Sequence, residues 1–154
     1  MENNSLINAQ IRALLEEKDQ IAALANISAC INMNYEQLNW SGFYLVKNGE
    51  LVVGPFQGKP ACTHIPFDKG VCGACYSSAS VQCIDDVLSF PGHIACDSAS
   101  RSELCVPIIV NENVVGEIDL DAPVPSRFGK NEVNEMLQAA EDIASAYLQH
   151  NWHN

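Results

Sequence analysis

Basic residues are scarce in this chain. Against 19 Asp and Glu there are only 8 Lys and Arg, so the formal net charge is −11 at pH 7. This balance repels the phosphates of nucleic acids and the anionic headgroups of membranes, and no stripe of basic side chains is present to bind either. We therefore expect neither a nucleic acid nor a membrane surface among the partners of this protein.

Long apolar runs are also missing. The longest, around residues 106–110, is much shorter than the roughly 20 residues that a helix needs to cross a bilayer. The polar, acidic N-terminus differs from a secretory leader, so we expect a soluble, cytoplasmic protein without a targeting segment. The 154 residues contain no repeat or low-complexity segment. They have the length of one domain with a single core, so we expect residues 1–154 to form one domain.

Cysteine, in contrast, is abundant, with seven in the chain. A reducing compartment disfavours structural disulfides, so these thiols are expected to serve packing, metal binding or thiol chemistry. Buried packing is the simplest explanation for Cys30, on the apolar side of a predicted helix, and for Cys105, inside a predicted strand. Cys96 instead lies in a predicted loop, where packing gives little reason for a thiol. It is therefore the strongest functional candidate among the cysteines.

Cys72 and Cys75 form a C-x-x-C pair, which is typical either of half a zinc site or of a redox dithiol. A zinc site needs two more ligands, and the other candidates form no second close pair; they are Cys62, His64, Cys83, His93 and Cys96. A thioredoxin-like pair would open a helix in a βαβ unit, whereas the strands predicted here are antiparallel. We therefore expect no metal.

The hydrophobic pattern predicts helices at both ends of the chain. Apolar residues recur at helical spacing over residues 5–33, as one long or two abutting helices, and again from about Lys130. Between these helices the period changes to two. Residues 40–45 read as a strand, and the Asn-Gly pair at 48–49 is typical of a tight turn into a second strand at 51–53.

The middle of the chain is expected to be irregular. Glycine and proline between residues 54 and 58 are predicted to break the chain, and residues 70–80 to form a short helix. Residues 89–102, rich in Pro, Gly, Ser and Asp, are predicted to form a loop. Residues 104–110 and 114–120 are predicted to form a second hairpin, whose strands end the sheet. The expected class is α+β, with helices packed on one antiparallel sheet.

Three acids alternate with apolar residues on one predicted strand: Glu117, Asp119 and Asp121. They project from one face of the strand with neighbours about 7 Å apart, and Glu103 is expected on the adjacent strand. Clustered acids without interleaved bases suggest a bound cation, either an ammonium group or a hard metal ion such as Mg²⁺ or Ca²⁺. We favour an ammonium group, because the same region supplies thiols, which hard metals do not bind.

Trp40 and Tyr44 share one face of the first predicted strand. Aromatic residues in such positions are usually part of the core. Beside the acids, they are equally compatible with the apolar wall of a small-ligand pocket. Both interpretations remain open at this point.

Several short motifs occur together in the chain: NWSGFYL (39–45), GPFQG (54–58), GVCG (70–73), GHIACD (92–97), SEL (102–104) and DLD (119–121). Their combination resembles the free methionine-(R)-sulfoxide reductases, a family of stand-alone GAF domains. The resemblance covers residues 39–128, with predicted helices on both sides. It implies a GAF-like α+β fold, in which an antiparallel sheet of about six strands lies between helices, usually within a homodimer.

The resemblance also implies an activity, the reduction of free L-methionine (R)-sulfoxide to L-methionine, with thioredoxin as external reductant and no bound cofactor. The redox cysteines of the family match Cys62, Cys72 and Cys96. Its substrate-binding residues match Trp40, Tyr44, Glu103, Asp119 and Asp121. Two positions depart from the family pattern: Glu117 stands where an apolar residue is expected, and Ala122 replaces an expected serine.

The resemblance and the residues together suggest one mechanism. A Cys96 thiolate attacks the sulfoxide sulfur while an acid protonates the oxygen, so that methionine leaves and a sulfenic acid remains. Cys62 is the first choice for the thiol that then forms a disulfide, with Cys72 as the alternative or a relay. Glu103 is the favoured proton donor and Asp121 the second choice, because crowded acids cannot all ionise. A GAF domain that binds a small ligand or senses oxidants without turnover is the alternative function.

Overall fold

The computed structural model describes residues 4–154. Within them, the helices are α1 (Leu6–Leu14), α2 (Gln20–Asn34), α3 (Gly70–Ser78) and α4 (Lys130–His150). The strands are β1 (Trp40–Lys47), β2 (Glu50–Gly58), β3 (His64–Ile65), β4 (Gln82–Ile84), β5 (Ser102–Val110) and β6 (Asn113–Ala122). A short 3₁₀ turn spans Val87–Ser89. No helix in this part of the chain has the length and apolarity that crossing a membrane requires.

The six strands form one antiparallel sheet in the order β3-β2-β1-β6-β5-β4, with helices on both faces. Helices α1, α2 and α4 cover one face, where Phe43 and Leu45 of β1 point into the larger hydrophobic core. Helix α3 covers the other face, where Trp40 and Tyr44 of the same strand belong to a smaller core. The alternation of side chains along β1 therefore assigns its residues to two separate layers, and the predicted α+β class is confirmed.

The N-terminal segment forms two helices rather than one. Helix α1 ends at Leu14, and Asp19 begins the next helix by accepting a hydrogen bond at 2.8 Å from the backbone N–H of Ala22. An aspartate in this position satisfies one of the N–H groups that have no partner inside the helix. The sequence pattern allowed either arrangement, and the cap decides between them.

Strand β2 is longer than the sequence predicts. The prediction that glycine and proline break the chain between residues 54 and 58 is wrong, since β2 continues through them. The register with β1 shifts between Gly42 and Tyr44, so that Gly54 and Pro55 lie opposite a single residue of β1. Such a β-bulge accommodates proline, because the extra residue does not need to donate a ladder hydrogen bond.

The second hairpin is confirmed, and each of its strands is longer than predicted. Asn111 and Glu112 have φ angles of 49° and 69°, the positive values that a two-residue type I′ turn requires. The prediction that these strands end the sheet is wrong, because β6 pairs with β1 at the centre and β4 covers the outer edge of β5. Strands β3 and β4 have only two and three residues, too few for a periodic pattern to indicate them.

Candidate active site

The sheet register brings the predicted pocket residues together on the face beneath α3. On β6, Asp121 pairs with Trp40 of β1 on one side and with Glu103 of β5 on the other. Two residues earlier, Asp119 pairs with Cys105 of β5. Residues two apart on a strand point to the same face. An aromatic ring, three carboxylates and a thiol therefore meet on one surface of the sheet.

A cavity of about 540 Å³, including its open mouth, lies over this surface. Its walls come from the sheet, the start of α3 and the loops that precede β3 and β5. The cavity is lined by all the predicted substrate-binding residues, Trp40, Tyr44, Glu103, Asp119 and Asp121. Cys72 and Cys96 also line it, so two of the three predicted redox cysteines face the same space.

Cys62 and Cys96 form a disulfide, although 34 residues separate them in the chain. Cys62 precedes β3, and its carbonyl accepts a hydrogen bond at 2.8 Å from the hydroxyl of Tyr44. Cys96 lies in the loop before β5, which is irregular as predicted. The side chain of Asn39 ties this loop to the start of β1 by donating to the carboxylate of Asp97 at 3.0 Å. Both half-cystines are half-buried, whereas Cys72 is buried and outside any disulfide.

Three carboxylates converge at the sheet side of the cavity. One oxygen from each of Glu103, Asp119 and Asp121 lies within 4.8 Å of the others. Glu103 and Asp119 are buried and Asp121 is partly exposed. Burial raises the pKa of all three groups, and the charges of Asp119 and Asp121 raise the pKa of Glu103 further. Because like charges at this distance repel strongly, the three groups favour a state in which at least one of them is protonated.

Trp40 forms an aromatic wall beside these carboxylates. Its ring stacks with Tyr44 at 5.7 Å between centroids and with Phe56 at 5.0 Å. Trp40 and Tyr44 are 3% and 2% exposed, so both interpretations left open by the sequence hold: they pack in the smaller core and they line the cavity. The sequence analysis missed Phe56, because the β-bulge in β2 sets its position beside Trp40.

Ser100 is a second residue that the sequence analysis missed. It is buried in the loop before β5, and its hydroxyl accepts a hydrogen bond at 2.9 Å from the side chain of Asn39. A hydrogen bond from Ser100 also partly offsets the rise in the pKa of Asp121. Serine is common in irregular loops, so no sequence signal distinguished this one from its neighbours.

Two buried polar atoms beside the cavity lack a hydrogen-bond partner within residues 4–154. They are the indole nitrogen Nε1 of Trp40 and the carboxylate oxygen Oδ1 of Asp119. An unsatisfied buried polar atom costs about 1–3 kcal/mol. A ligand that offers an acceptor to Trp40 and a cationic donor to Asp119 therefore gains binding energy from both.

Glu117 does not contribute to the cavity wall. Its side chain is fully buried beneath α3, where Oε1 accepts a hydrogen bond at 3.3 Å from the thiol of Cys105. Burial, together with the charge of Asp119, raises the pKa of Glu117 to about 8. The departure from the family pattern at this position therefore alters the layer behind the cavity rather than the cavity wall.

The buried Glu117 predicts that the protein loses stability as the pH rises. Its pKa is about 8 in the folded protein against an ordinary value of 4.5. Between these values the unfolded chain releases a proton that the folded chain retains. This difference lowers the free energy of unfolding by about 3 kcal/mol between pH 5 and pH 8. Urea unfolding of the wild type and Glu117→Gln at both pH values measures it, and an equal pH dependence in the two proteins would contradict the assignment.

Known proteins are similar to this chain in sequence and in fold. The model of the GAF domain family matches residues 11–147. The free methionine-R-sulfoxide reductase of Escherichia coli (strain K12) is 46% identical over 138 residues, which cover 89% of this chain and 84% of that protein. This chain belongs to the free methionine-R-sulfoxide reductase family of GAF domains. The resemblance seen in the sequence is thereby confirmed, and family membership favours the enzyme over the alternative of a sensor.

Other relatives and solved structures are similar to this chain over comparable lengths. Protein YtsP of Bacillus subtilis (strain 168) is 48% identical over 147 residues, 94% of this chain and 90% of that protein. The reduced fRMsr of Staphylococcus aureus superposes with a TM-score of 0.89 at 44% identity, covering 95% of this chain and 96% of that one. The Neisseria meningitidis reductase in complex with its substrate superposes with a TM-score of 0.91 at 34% identity, covering 94% of this chain and 88% of that one.

Proposed function

We propose that this enzyme reduces free L-methionine (R)-sulfoxide to L-methionine. The observation that carries the proposal is the unpartnered Oδ1 of buried Asp119, in a cavity that Cys96 also lines. A free amino acid supplies the α-ammonium group that this oxygen lacks. The Escherichia coli relative and the Neisseria meningitidis protein are both free methionine-R-sulfoxide reductases, which supports the same substrate.

The other groups of the substrate also have partners in the cavity. Its carboxylate fits the start of α3, where Gly70 and Val71 line the cavity and the first N–H groups of a helix have no intrahelical acceptor. The methyl group packs against the ring of Trp40, whose Nε1 is free to donate to the sulfoxide oxygen. This arrangement places the sulfur of the substrate toward Cys96.

The Cys62–Cys96 disulfide supports a cycle of two thiols. In the reduced enzyme, the Cys96 thiolate attacks the sulfoxide sulfur, the oxygen takes up a proton, and methionine leaves a sulfenic acid on Cys96. The Cys62 thiol displaces the hydroxyl group as water and forms the disulfide. An external dithiol, for which we propose thioredoxin, returns two electrons and two protons. The buried Cys72, whose Sγ lies 3.8 Å from Glu103 Oε2, is the alternative resolving thiol or relay.

Glu103 is the proposed proton donor. Its burial and the neighbouring carboxylates favour the protonated form, so it has a proton to give at neutral pH. Asp121 is the second choice, since it is partly exposed. The three carboxylates thus have two tasks: one donates a proton, and the ionised ones bind the ammonium group.

An assay of free and N-acetylated substrate tests the proposal. Acetylation removes the ammonium charge and leaves buried carboxylates unpaired, at a cost of about 2–4 kcal/mol, so kcat/KM should fall at least ~30-fold. Oxidation of NADPH through thioredoxin and its reductase measures turnover. The methyl ester of methionine sulfoxide, which keeps the ammonium group, controls for added size.

Two results would count against parts of this proposal. Equal rates on free and N-acetylated substrate would contradict recognition of the ammonium group. Turnover with dithiothreitol but not with thioredoxin would leave the substrate assignment intact and replace the reductant. We also propose that the working assembly is a homodimer and that the reaction itself uses no cofactor besides the external reductant. Sedimentation of the purified enzyme measures the assembly.

A further inference from the structure

Three thiols and one carboxylate meet behind the cavity, between α3 and the sheet. Cys72 and Cys75 lie about one turn apart on α3 and therefore share one helical face. Cys105 comes from β5 and Glu117 from β6. All four are buried, with exposed fractions of 5% for Cys72 and 0% for each of the others. We call these four residues the thiol cluster.

Three residues of the thiol cluster have the spacing of metal ligands, and Cys72 lies close to one of them. The Sγ atoms of Cys72 and Cys105 are 3.9 Å apart, and Cys105 Sγ is 3.3 Å from Glu117 Oε1. One ligand atom from each of Cys75, Cys105 and Glu117 lies within 4.8 Å of the others. Cys72 forms a second such group with Cys105 and Asp119, so Cys105 links the two groups. A tetrahedral zinc ion with Zn–S bonds of about 2.3 Å separates its thiolates by about 3.8 Å. The spacing of Cys72 and Cys105 therefore needs almost no adjustment.

The second carboxylate oxygen of Glu117 provides an independent indication of a ligand. Oε2 is buried and has no hydrogen-bond partner in the part of the chain that the structure describes. The neighbours that shift the pKa values of these four buried side chains are other thiols and carboxylates. The cluster thus consists of potential electron-pair donors, and without a cation their burial favours the protonated, uncharged forms. A bound cation would replace these protons and satisfy the oxygen.

We propose that Cys72, Cys75, Cys105 and Glu117 bind a soft divalent metal ion, for which Zn²⁺ has the matching chemistry. Three sulfur donors and one carboxylate suit a tetrahedral ion and exclude Mg²⁺ and Ca²⁺, which prefer oxygen ligands. Binding displaces the three thiol protons to solvent and, below about pH 8, the proton of Glu117 as well. This proposal differs from our expectation from the sequence that the protein binds no metal. Strands β5 and β6, later in the chain, supply the two further ligands that the C-x-x-C pair needs.

The site goes beyond the proposed reaction. Cys72 and Asp119 line the cavity, so an ion reaches the thiol cluster through it. A bound ion also ties α3 to β5 and β6, which together form the back of the cavity. In that state Cys72 is a metal ligand and not a redox thiol, so Cys62 alone remains to resolve Cys96.

Anaerobic titration with Co²⁺ tests the site directly. The protein with its Cys62–Cys96 disulfide intact is used, because this bond removes both residues as competing ligands and leaves five free cysteines. We expect one Co²⁺ per chain, with thiolate-to-cobalt charge transfer in the near ultraviolet and the intense visible bands of tetrahedral Co²⁺. Zn²⁺ should abolish these bands by displacement. Their absence at saturating Co²⁺ in the folded wild type would overturn the proposal.

Matched cysteine variants locate the ion. Loss of an outer-shell partner typically weakens metal binding 10–100-fold, so loss of a direct ligand in Cys75→Ala should weaken it at least ~100-fold. Glu117→Gln, which keeps the side-chain shape, should also weaken binding. Cys30→Ala, a buried thiol elsewhere, and Cys83→Ala, an exposed one, should bind as the wild type does.

Unchanged bands in a folded Cys75→Ala protein, or their loss in both control variants, would refute the site. Far-UV circular dichroism establishes whether each variant is folded. If a variant does not fold, the titration of the wild type still tests whether the metal site exists. Neither measurement uses methionine sulfoxide. A negative result in the Co²⁺ titration therefore leaves the proposed reaction untouched. Inactivity toward methionine sulfoxide likewise leaves the proposal of a metal site untouched.

Discussion

Cys96→Ser is expected to abolish methionine formation. Cys96 is the disulfide-bonded cysteine that lines the cavity, and a serine hydroxyl is a far weaker nucleophile toward sulfur than a thiolate. Cys62→Ser should instead release about one methionine per chain and then stop, because attack and resolution are separate steps. Rapid quench of the prereduced enzyme with excess substrate measures the methionine formed per chain, and the same assay with thioredoxin and its reductase measures continued turnover, which Cys62→Ser should lack.

The control for this pair is Cys83→Ser, which changes an exposed thiol outside the cavity and should turn over as the wild type does. Methionine released by Cys96→Ser would show that another residue is the nucleophile. Continued turnover by Cys62→Ser would transfer resolution to Cys72. The two variants thus separate the role of each half of the disulfide.

Glu103→Gln should slow the chemical step by about 10²-fold, the range typical of a lost general acid. The amide keeps the shape and burial of the side chain but has no proton to transfer. Burial and the charges of Asp119 and Asp121 raise the pKa of Glu103. The single-turnover rate of the wild type should therefore be at its maximum below the raised pKa of Glu103 and should decline as the pH rises through that pKa. The single-turnover rate as a function of pH measures both effects.

Asp121→Asn is the matched control, because it removes the second candidate donor from the same carboxylate group. We expect a smaller loss in the chemical step and a larger effect on substrate binding. A near-wild-type rate for Glu103→Gln across the whole pH range, with a slow Asp121→Asn, would assign proton donation to Asp121. Circular dichroism of both variants shows whether either change disturbs the fold.

The sequence by itself determined which side chains share a face. Alternation along a strand follows from local backbone geometry, so the separation of Phe43 from Trp40 and Tyr44 was predictable without any tertiary contact. The same rule placed Asp119 and Asp121 together on one face. Turns were predictable for a related reason, since Asn-Gly at 48–49 takes the positive φ angles of a tight hairpin. The combination of motifs then identified the family.

The tertiary structure alone decided which distant segments meet. Cys62 and Cys96 are 34 residues apart, and their pairing depends on where the loops before β3 and β5 lie above the sheet. Likewise, the sequence predicted the sheet face on which Glu117 lies but not its burial. Glu117 is buried because α3 packs over it, and it therefore lies outside the cavity. Local spacing sets the direction of a side chain, whereas packing between elements sets its neighbours, burial and pKa.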